Sequence, residues 1–431
     1  MNNQSYYQAT APWSNGLPLN GEHECEVAIV GGGFAGLAVA LGLVERGQHD
    51  VTLLEAHSVG HGASGRNGGF VFGGFSLGEE ELLAQHGPER AREIYQLTLQ
   101  GGEMIRRRVG HYEIDCDYLP AGVILADWFG DDETLRAKQQ QMRSAFDVDW
   151  QWLAQDQLRS MLNSQRYFSG LLEANAAHFH PLKYCQGLAR VLRQHEVPVY
   201  EDSAVRQIEQ QQGGYLLRTD NGTVRARKVV IAGGGYIHGL NTPVAKAILP
   251  IATYVAATEP LGDRLGEFIR GDWAVYDTRF AFDYYRPLPD TRLLWGGRIS
   301  IRRPNRQTLE RWLRRDLAKV FPDLAHEVRF EQAWYGLMGY MRHKMPCVQE
   351  TQPGLWHVIG FGGHGVAPTS GLGDLMASVL THGDDRHRWF SRYQMPPVYG
   401  FAGSLAAQAT YWQAQVSDWL KDMRFRKHRS A

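Results

Sequence analysis

Several features that would narrow the structural class are scarce in this sequence. Only 4 of 431 residues are cysteine. Cys25, Cys116, Cys185 and Cys347 are scattered, with no C-x-x-C pair and no metal-ligand spacing. This excludes a disulfide framework and leaves reduced thiols in a cytoplasmic protein as the expectation. The 17 histidines form no H-E-x-x-H or related cluster, so no metal site is expected. Net charge is nearly absent, with 45 Lys and Arg against 46 Asp and Glu. No global field therefore draws the chain to nucleic acid. The longest apolar run, Val27–Val44, holds five glycines and is flanked by acids. It reads as a buried strand and helix, not as a signal or transmembrane segment. No internal repeat or low-complexity segment is present.

The chain is long enough for two or three structural units around a sizeable core. Its most informative stretch is Cys25–Gly69. Val27–Val30 enters Gly31-Gly32-Gly33-Phe34-Ala35-Gly36, an apolar run follows, and Val51–Leu54 ends in Glu55. Gly31 permits the tight strand-to-helix turn, Gly33 lets a pyrophosphate approach the backbone, and Gly36 lets the helix pack on the strand. The phosphates then meet unpaired N–H groups at the positive end of the helix. Glu55 stands where an acid accepts bonds from ribose hydroxyls. A second glycine-rich loop, Gly60–Gly69, contains Ala63-Ser64-Gly65-Arg66-Asn67-Gly68. The two halves together point to FAD rather than a nicotinamide cofactor.

Further along, elements interleave. Glu79–Val109 reads as charged, amphipathic helix, Val123–Ala126 as strand and Asp132–Phe146 as polar helix. His180-Pro181 precedes a helix over Tyr184–His195, and Val197–Glu201 returns to strand. Tyr215–Thr219 and Thr223–Arg227 form a hairpin around Asp220-Asn221-Gly222. Lys228–Gly235, which includes Gly233 and Gly234, repeats the strand-into-glycine design with a β-branched run suited to a buried parallel strand. Leu355–Ile359 feeds a third glycine loop, Gly360–Gly371, containing Gly363-His364-Gly365-Val366, and a helix follows over Leu372–Thr381. The exposed N–H groups of that loop can stabilise negative charge on a reduced flavin. His364 either faces the ring or is bonded within its own loop. The segment Met1–Gly21 is expected to wrap the surface. The tail Lys421–Arg429 reads as a solvated basic terminus, with contact to an anionic lipid surface as the alternative.

These pieces (VAIVGGGFAGL, LLEA, GHGASGRNGG, HPLKYCQGLA, KVVIAGGGY, ATEPLGD, DYYR, LLWGGR and GFGGHGV) resemble the D-amino-acid-oxidase-type flavoprotein superfamily. Within it they resemble the branch of sarcosine oxidase and gamma-glutamylputrescine oxidoreductase, in the family's order from Val27 to Val366. The resemblance implies an α/β protein whose doubly wound, Rossmann-like FAD domain (GR2 type) comprises 22–75, 171–249 and 331–385. An interleaved α+β substrate domain with a mixed or antiparallel sheet would comprise 76–170 and 250–330, with 386–431 as a C-terminal helix and basic tail. Strands near Tyr254–Thr258, Phe282–Arg286 and Leu293–Arg298 would roof the flavin with Tyr254, Phe282, Tyr284 and Trp295. Ala63–Gly68 would lie against flavin and pyrophosphate, with Arg66 near the ring, and the backbone of Val205 would meet the adenine.

The implied reaction is oxidation of an amine C–N bond, with hydride passing to flavin N5 and the imine then hydrolysed by water. Two departures from sarcosine oxidase narrow the expectation. Val366 and Ala367 replace an aromatic residue and the lysine that holds the substrate carboxylate, which disfavours a simple N-methyl α-amino acid unless Arg66, Arg286 or Arg298 supplies the anchor. The resemblance of GASGRNGG, ATEPLGD and GHGV implies a gamma-glutamyl polyamine as the favoured substrate. The alternative is a secondary or cyclic amino acid of the sarcosine, proline or pipecolate type. No lysine occurs between Lys246 and Lys319, which puts oxygen in doubt and leaves a quinone or electron-transfer partner open as acceptor. With no cysteine near Trp334, FAD is expected to be non-covalent. Tyr254 and Tyr284 are the expected pocket walls. Arg286 and Arg298 either bind a distal carboxylate or pair with Asp277 or Asp283.

Overall fold

In the computed structural model, which describes residues 4–13, 16–237, 240 and 243–430, two eight-stranded sheets share one cavity. The first sheet has the order Cys347–Gln352, Leu355–Ile359, Gly222–Ile231, Gly21–Val30, Val51–Leu54, Val199–Tyr200. Its centre is parallel, Ile29 lying opposite both Val230 and Leu53. Those strands are buried on both faces, which accounts for their continuous Val, Ile and Leu runs. Helices Phe34–Val44 and Val366–His382 pack on it; every residue of the former is buried.

The hairpin strand and the parallel strand foreseen around Thr223–Gly235 are one strand, Gly222–Ile231. It pairs along its length with Gly21–Val30 and, over Thr223–Ala226, also with Gly214–Arg218. Polar residues such as Arg225 and Arg227 alternate only where one face is wet, so the change of pattern marks a change of environment, not a break.

The second sheet runs Phe330–Tyr340, Leu249–Thr258, Leu293–Ser300, Asp283–Pro287, Ala274–Asp277, Val123–Ala126, Gly170–Glu173, Gln151–Leu153. It is antiparallel except where Ala274–Asp277 meets Val123–Ala126. The domain boundary expected at 331 therefore needs correcting. Phe330–Tyr340 pairs with Leu249–Thr258 from end to end, and the chain crosses to the first sheet only after Tyr340. Likewise Gly170–Glu173 belongs wholly to the second sheet.

The segment before Gly21 does not simply wrap the surface. Ser5 and Gln8 close a capping box on the helix Tyr6–Thr10, and Tyr7 is fully buried, edge-on to Trp334 at 5.5 Å. Among the described residues, no helix is long and apolar enough to cross a membrane, and no cluster of His, Cys, Asp or Glu is arranged to hold a metal ion.

Candidate active site

The glycine turn is built for close approach. Gly31 has φ +116°, a region unfavourable to any side chain, and its N–H donates to Leu54 O at 2.8 Å. A methyl group on Gly36 would sit 1.9 Å from Gly31 O, so the helix can lie on its strand only with glycine there. Gly33 at the N-cap has no side chain to offer, Ser64 Oγ takes only the Phe34 N–H, and Gly33, Phe34 and Ala35 line the cavity. A helix N-terminus whose other N–H groups face a cavity is an anion site. Glu55 lies beside it, accepting the N–H groups of Gly32 (2.7 Å) and His57 (2.9 Å). Burial raises its pKa against those two bonds.

The cavity is about 1230 Å³ and runs from this turn to the space beneath the second sheet. Of the glycine-loop and backbone residues expected to meet the cofactor, all line it except Gly36 and Gly65. The second glycine loop is tied to the first by Ser64 Oγ, which accepts the Phe34 N–H at 2.9 Å. Arg66 Nε donates to His61 O, and its own carbonyl accepts the Trp334 indole N–H at 3.0 Å. Asn67 folds back on Ala63 O and Ser64 O. The third loop is pinned by Ser76, whose Oγ accepts the N–H of Gly363 (2.9 Å) and of His364 (3.2 Å). A glycine turn with a helix N-terminus and a neighbouring acid suits the pyrophosphate and ribose of FAD, and the cavity continues far enough to admit the ring system.

The substrate residues distribute differently from expectation. Tyr284 lines the cavity, edge-on to Phe70 at 5.6 Å, as does Phe282. Tyr254 does not. On Leu249–Thr258 the odd residues Ile251 and Thr253 face the cavity, whereas Tyr254 points the other way, donating to Arg302 O at 2.8 Å and packing on Trp312. Trp295 also lies behind the sheet, stacked on Tyr285 at 4.8 Å. Period-two alternation sends neighbours to opposite faces, and aromatic identity does not report which face is which.

Arg286 is no substrate anchor either. It is 1 % exposed and donates to Gly68 O (2.7 Å), Phe179 O (2.8 Å) and Tyr7 Oη (3.3 Å). It thereby clamps the second glycine loop to the N-terminal helix. Neither Asp277 nor Asp283 reaches it; Arg279 holds both. Arg298 does line the cavity, but Asp316 takes its guanidinium, Nη2 donating at 3.1 Å.

Sequence reading missed Glu79 and Lys138, which pair at 2.8 Å on the cavity wall beside His364. Burial works to raise the Glu79 pKa, but the Lys138 ammonium outweighs it and holds the carboxyl below its ordinary value. For His364, burial lowers the pKa, Glu79 opposes that and Lys138 adds to it, leaving the ring's pKa below its ordinary value. The ring stands edge-on to Phe72 at 5.0 Å. Glu79 opens the run Glu79-Glu80-Glu81, and only its place directly after Gly78, where the helix starts, separates it from its solvated neighbours. Of the cations that line the cavity, Lys138 is held by Glu79, Arg279 by Asp277 and Asp283, Arg298 by Asp316 and Lys421 by Asp131, while Arg66, Arg342 and Lys344 line it as well.

A dinucleotide turn opening into an aromatic chamber roofed by an antiparallel sheet is the build of a flavin-dependent oxidoreductase. The model of the DAO family, FAD dependent oxidoreductase, matches residues 26–379, and the chain belongs to that family. It is 34% identical over 402 residues to gamma-glutamylputrescine oxidoreductase of Escherichia coli (strain K12), covering 93% of each chain. To the probable oxidoreductase OrdL of Haemophilus influenzae it is 30% identical over 393 residues, 89% of each. Among solved structures, glycine oxidase from Bacillus cereus superposes with a TM-score of 0.70 at 20% identity, over 85% of this chain and 97% of that one. L-proline dehydrogenase from P. horikoshii gives 0.71 at 15%, over 88% and 100%. At such identities these two bear on the fold alone.

Proposed function

We propose that the chain oxidises a C–N bond of a long amine with a polar amino-acid head, gamma-glutamylputrescine being the substrate that best fits. The observation that carries this reading is the 34% identity over 93% of both chains to gamma-glutamylputrescine oxidoreductase. The cavity supports it. Phe72, Tyr276, Phe282 and Tyr284 offer an apolar wall for a methylene chain, and Glu79 beside Lys138 presents opposite charges 2.8 Å apart, complementary to a zwitterionic head. Val366 and Ala367 supply no cation for a small α-amino acid, and Ala367 is 1 % exposed.

Bound FAD would supply the acceptor for a hydride from the carbon bonded to nitrogen. Gly31–Ala35, Glu55 and Ala63–Gly68 would hold it. Non-covalent attachment is supported by the four cysteines, all buried and none lining the cavity. The residues of the chamber orient the amine and keep water from it. The acceptor that reoxidises the flavin is oxygen, a quinone or an electron-transfer partner. The lysine-free strands Leu249–Thr258, Asp283–Pro287 and Leu293–Ser300 favour an acceptor other than oxygen.

The test is an anaerobic visible titration of the purified flavoprotein with amines. Bleaching by gamma-glutamylputrescine at concentrations where proline, pipecolate and sarcosine leave the band intact is the expected outcome. Bleaching by those amino acids alone would replace this reading with an amino-acid dehydrogenase. Readmitting air then separates oxidase from dehydrogenase.

A further inference from the structure

The C-terminal helix Gly400–Ser430 turns its apolar side to solvent. Its inner face buries Tyr411 against Phe280 and carries polar side chains bonded to the body of the protein. Gln408 accepts from Ser300 Oγ (2.9 Å) and Ile301 N (3.1 Å), Asp418 from the N–H groups of Phe280 and Ala281, and Asp422 holds Arg166 at 2.7 Å. The outer face carries Phe401, Leu405, Trp412, Val416, Trp419 and Met423, between 37% and 74% exposed. Steps of three, four and seven residues place these in one stripe. From Phe401 to Met423 the stripe runs about 33 Å at 1.5 Å per residue. Scattered exposed apolar residues are ordinary, but a continuous stripe of this length with two tryptophans marks a surface that is covered.

Charge says by what. The helix has two acids, Asp418 and Asp422, and both face inward, already bonded. Beyond Met423 the sequence reads Arg424-Phe425-Arg426-Lys427-His428-Arg429. Next to the helix, Arg302 and Arg303 follow Ile301, whose N–H the helix accepts, and both are exposed. A second copy laying the same helix on this one would match the stripe but bring no acid from that helix to Arg302 and Arg303, since Asp418 and Asp422 both face inward. We infer that this face lies on an anionic phospholipid surface, the helix in the plane of the interface with its tryptophans among the headgroups. The same helix lines the cavity through Gly403, Ala407 and Thr410, so the docked face and the chamber share one element.

The test uses the FAD-loaded full chain in co-sedimentation with phosphatidylcholine vesicles, with and without phosphatidylglycerol. Binding to the anionic vesicles is expected, weakened about tenfold or more by high salt or by removing phosphatidylglycerol. L405Q/W412Q/V416Q is expected to lose about tenfold or more of that binding while keeping its flavin content and its amine-dependent dye reduction in solution. K427Q/R429Q should weaken binding to the anionic vesicles and reduce its salt dependence while retaining the fold. Absence of sedimentation overturns the inference, as does equal sedimentation of the triple variant. A dimer seen by light scattering that the triple variant dissolves would assign the face to a second copy instead.

Discussion

The two ends of the cavity are made differently. At the dinucleotide end, recognition rests on backbone: a turn at Gly31, a helix starting at Phe34, a carboxylate at Glu55 held by two N–H groups. At the amine end it rests on side chains paired across the fold, Lys138 reaching Glu79 over 59 positions and Lys421 reaching Asp131 over 290. The first construction is local, so glycine spacing announces it. The second depends on which sheet face each residue happens to meet, and no short pattern encodes that.

The sharpest way to break the comparison is to put a side chain into the local half. In Gly36→Ala the new methyl would meet Gly31 O at 1.9 Å, backbone against backbone with nothing flexible to yield. Overpacking of this kind costs about 1–3 kcal/mol and at times more. The expected outcome is little soluble protein and no retained flavin, read from the ratio of visible to ultraviolet absorbance. Gly266→Ala, with nothing within 4 Å, is the control and should be silent.

Arg286 tests where the amine end begins. Arg286→Met leaves the carbonyls of Gly68 and Phe179 buried without their donor, each such orphan costing about 1–3 kcal/mol. Thermal unfolding should fall by several degrees, and turnover should fall alike for acylated and free amines. A KM rise confined to carboxylate-bearing amines would restore Arg286 as a substrate anchor.

Much of this was legible in advance. Val123–Ala126 and Asp132–Phe146 lie where the hydrophobic pattern places them, because each is a local run with clear ends. The cofactor residues line one cavity for the same reason. Tyr254 and Trp295 were misplaced because strand alternation gives two faces without saying which is inner. Glu79 was passed over because a run of three glutamates looks solvated, although only the first turns into the chamber and Lys138 arrives from another helix. The strand Phe330–Tyr340 went to the wrong sheet because its aromatic and small residues suit either.

Glu173 sharpens the contrast through pH. It lies half-buried near Glu79, and loss of water above all, with repulsion from Glu79, pushes its pKa from 4.5 up to about 7, although the Gly73 N–H pulls it down. A carboxyl whose folded pKa is raised contributes most below its unfolded value and loses that contribution as pH climbs through the folded one. Between about pH 4.5 and 7 the native state should lose up to roughly 3 kcal/mol through this group. Glu173→Gln keeps an acceptor for Gly73 and carries no charge. Its melting temperature should exceed the parent's at pH 8 and match it near pH 4.5; a difference independent of pH would show that Glu173 is ionised throughout.

The smallest effect is expected at Arg298, and it decides whether the paired cations of the amine end are scaffold or bait. Its guanidinium is satisfied by Asp316, which also holds Lys319 at 2.9 Å. Arg298→Met therefore leaves Asp316 one cation rather than none. For a partly exposed pair with a surviving partner the loss should be about 1 kcal/mol or less. If the pair is scaffold, KM for gamma-glutamylputrescine and for putrescine should move together, by less than about threefold. A selective rise for the acylated amine would mean that substrate displaces Asp316 from the arginine. The pairs of the amine end would then be exchangeable, each carboxylate a stand-in for one the substrate brings. Glu79 and Lys138 would be the next pair to part, since their spacing fits both ends of a zwitterion.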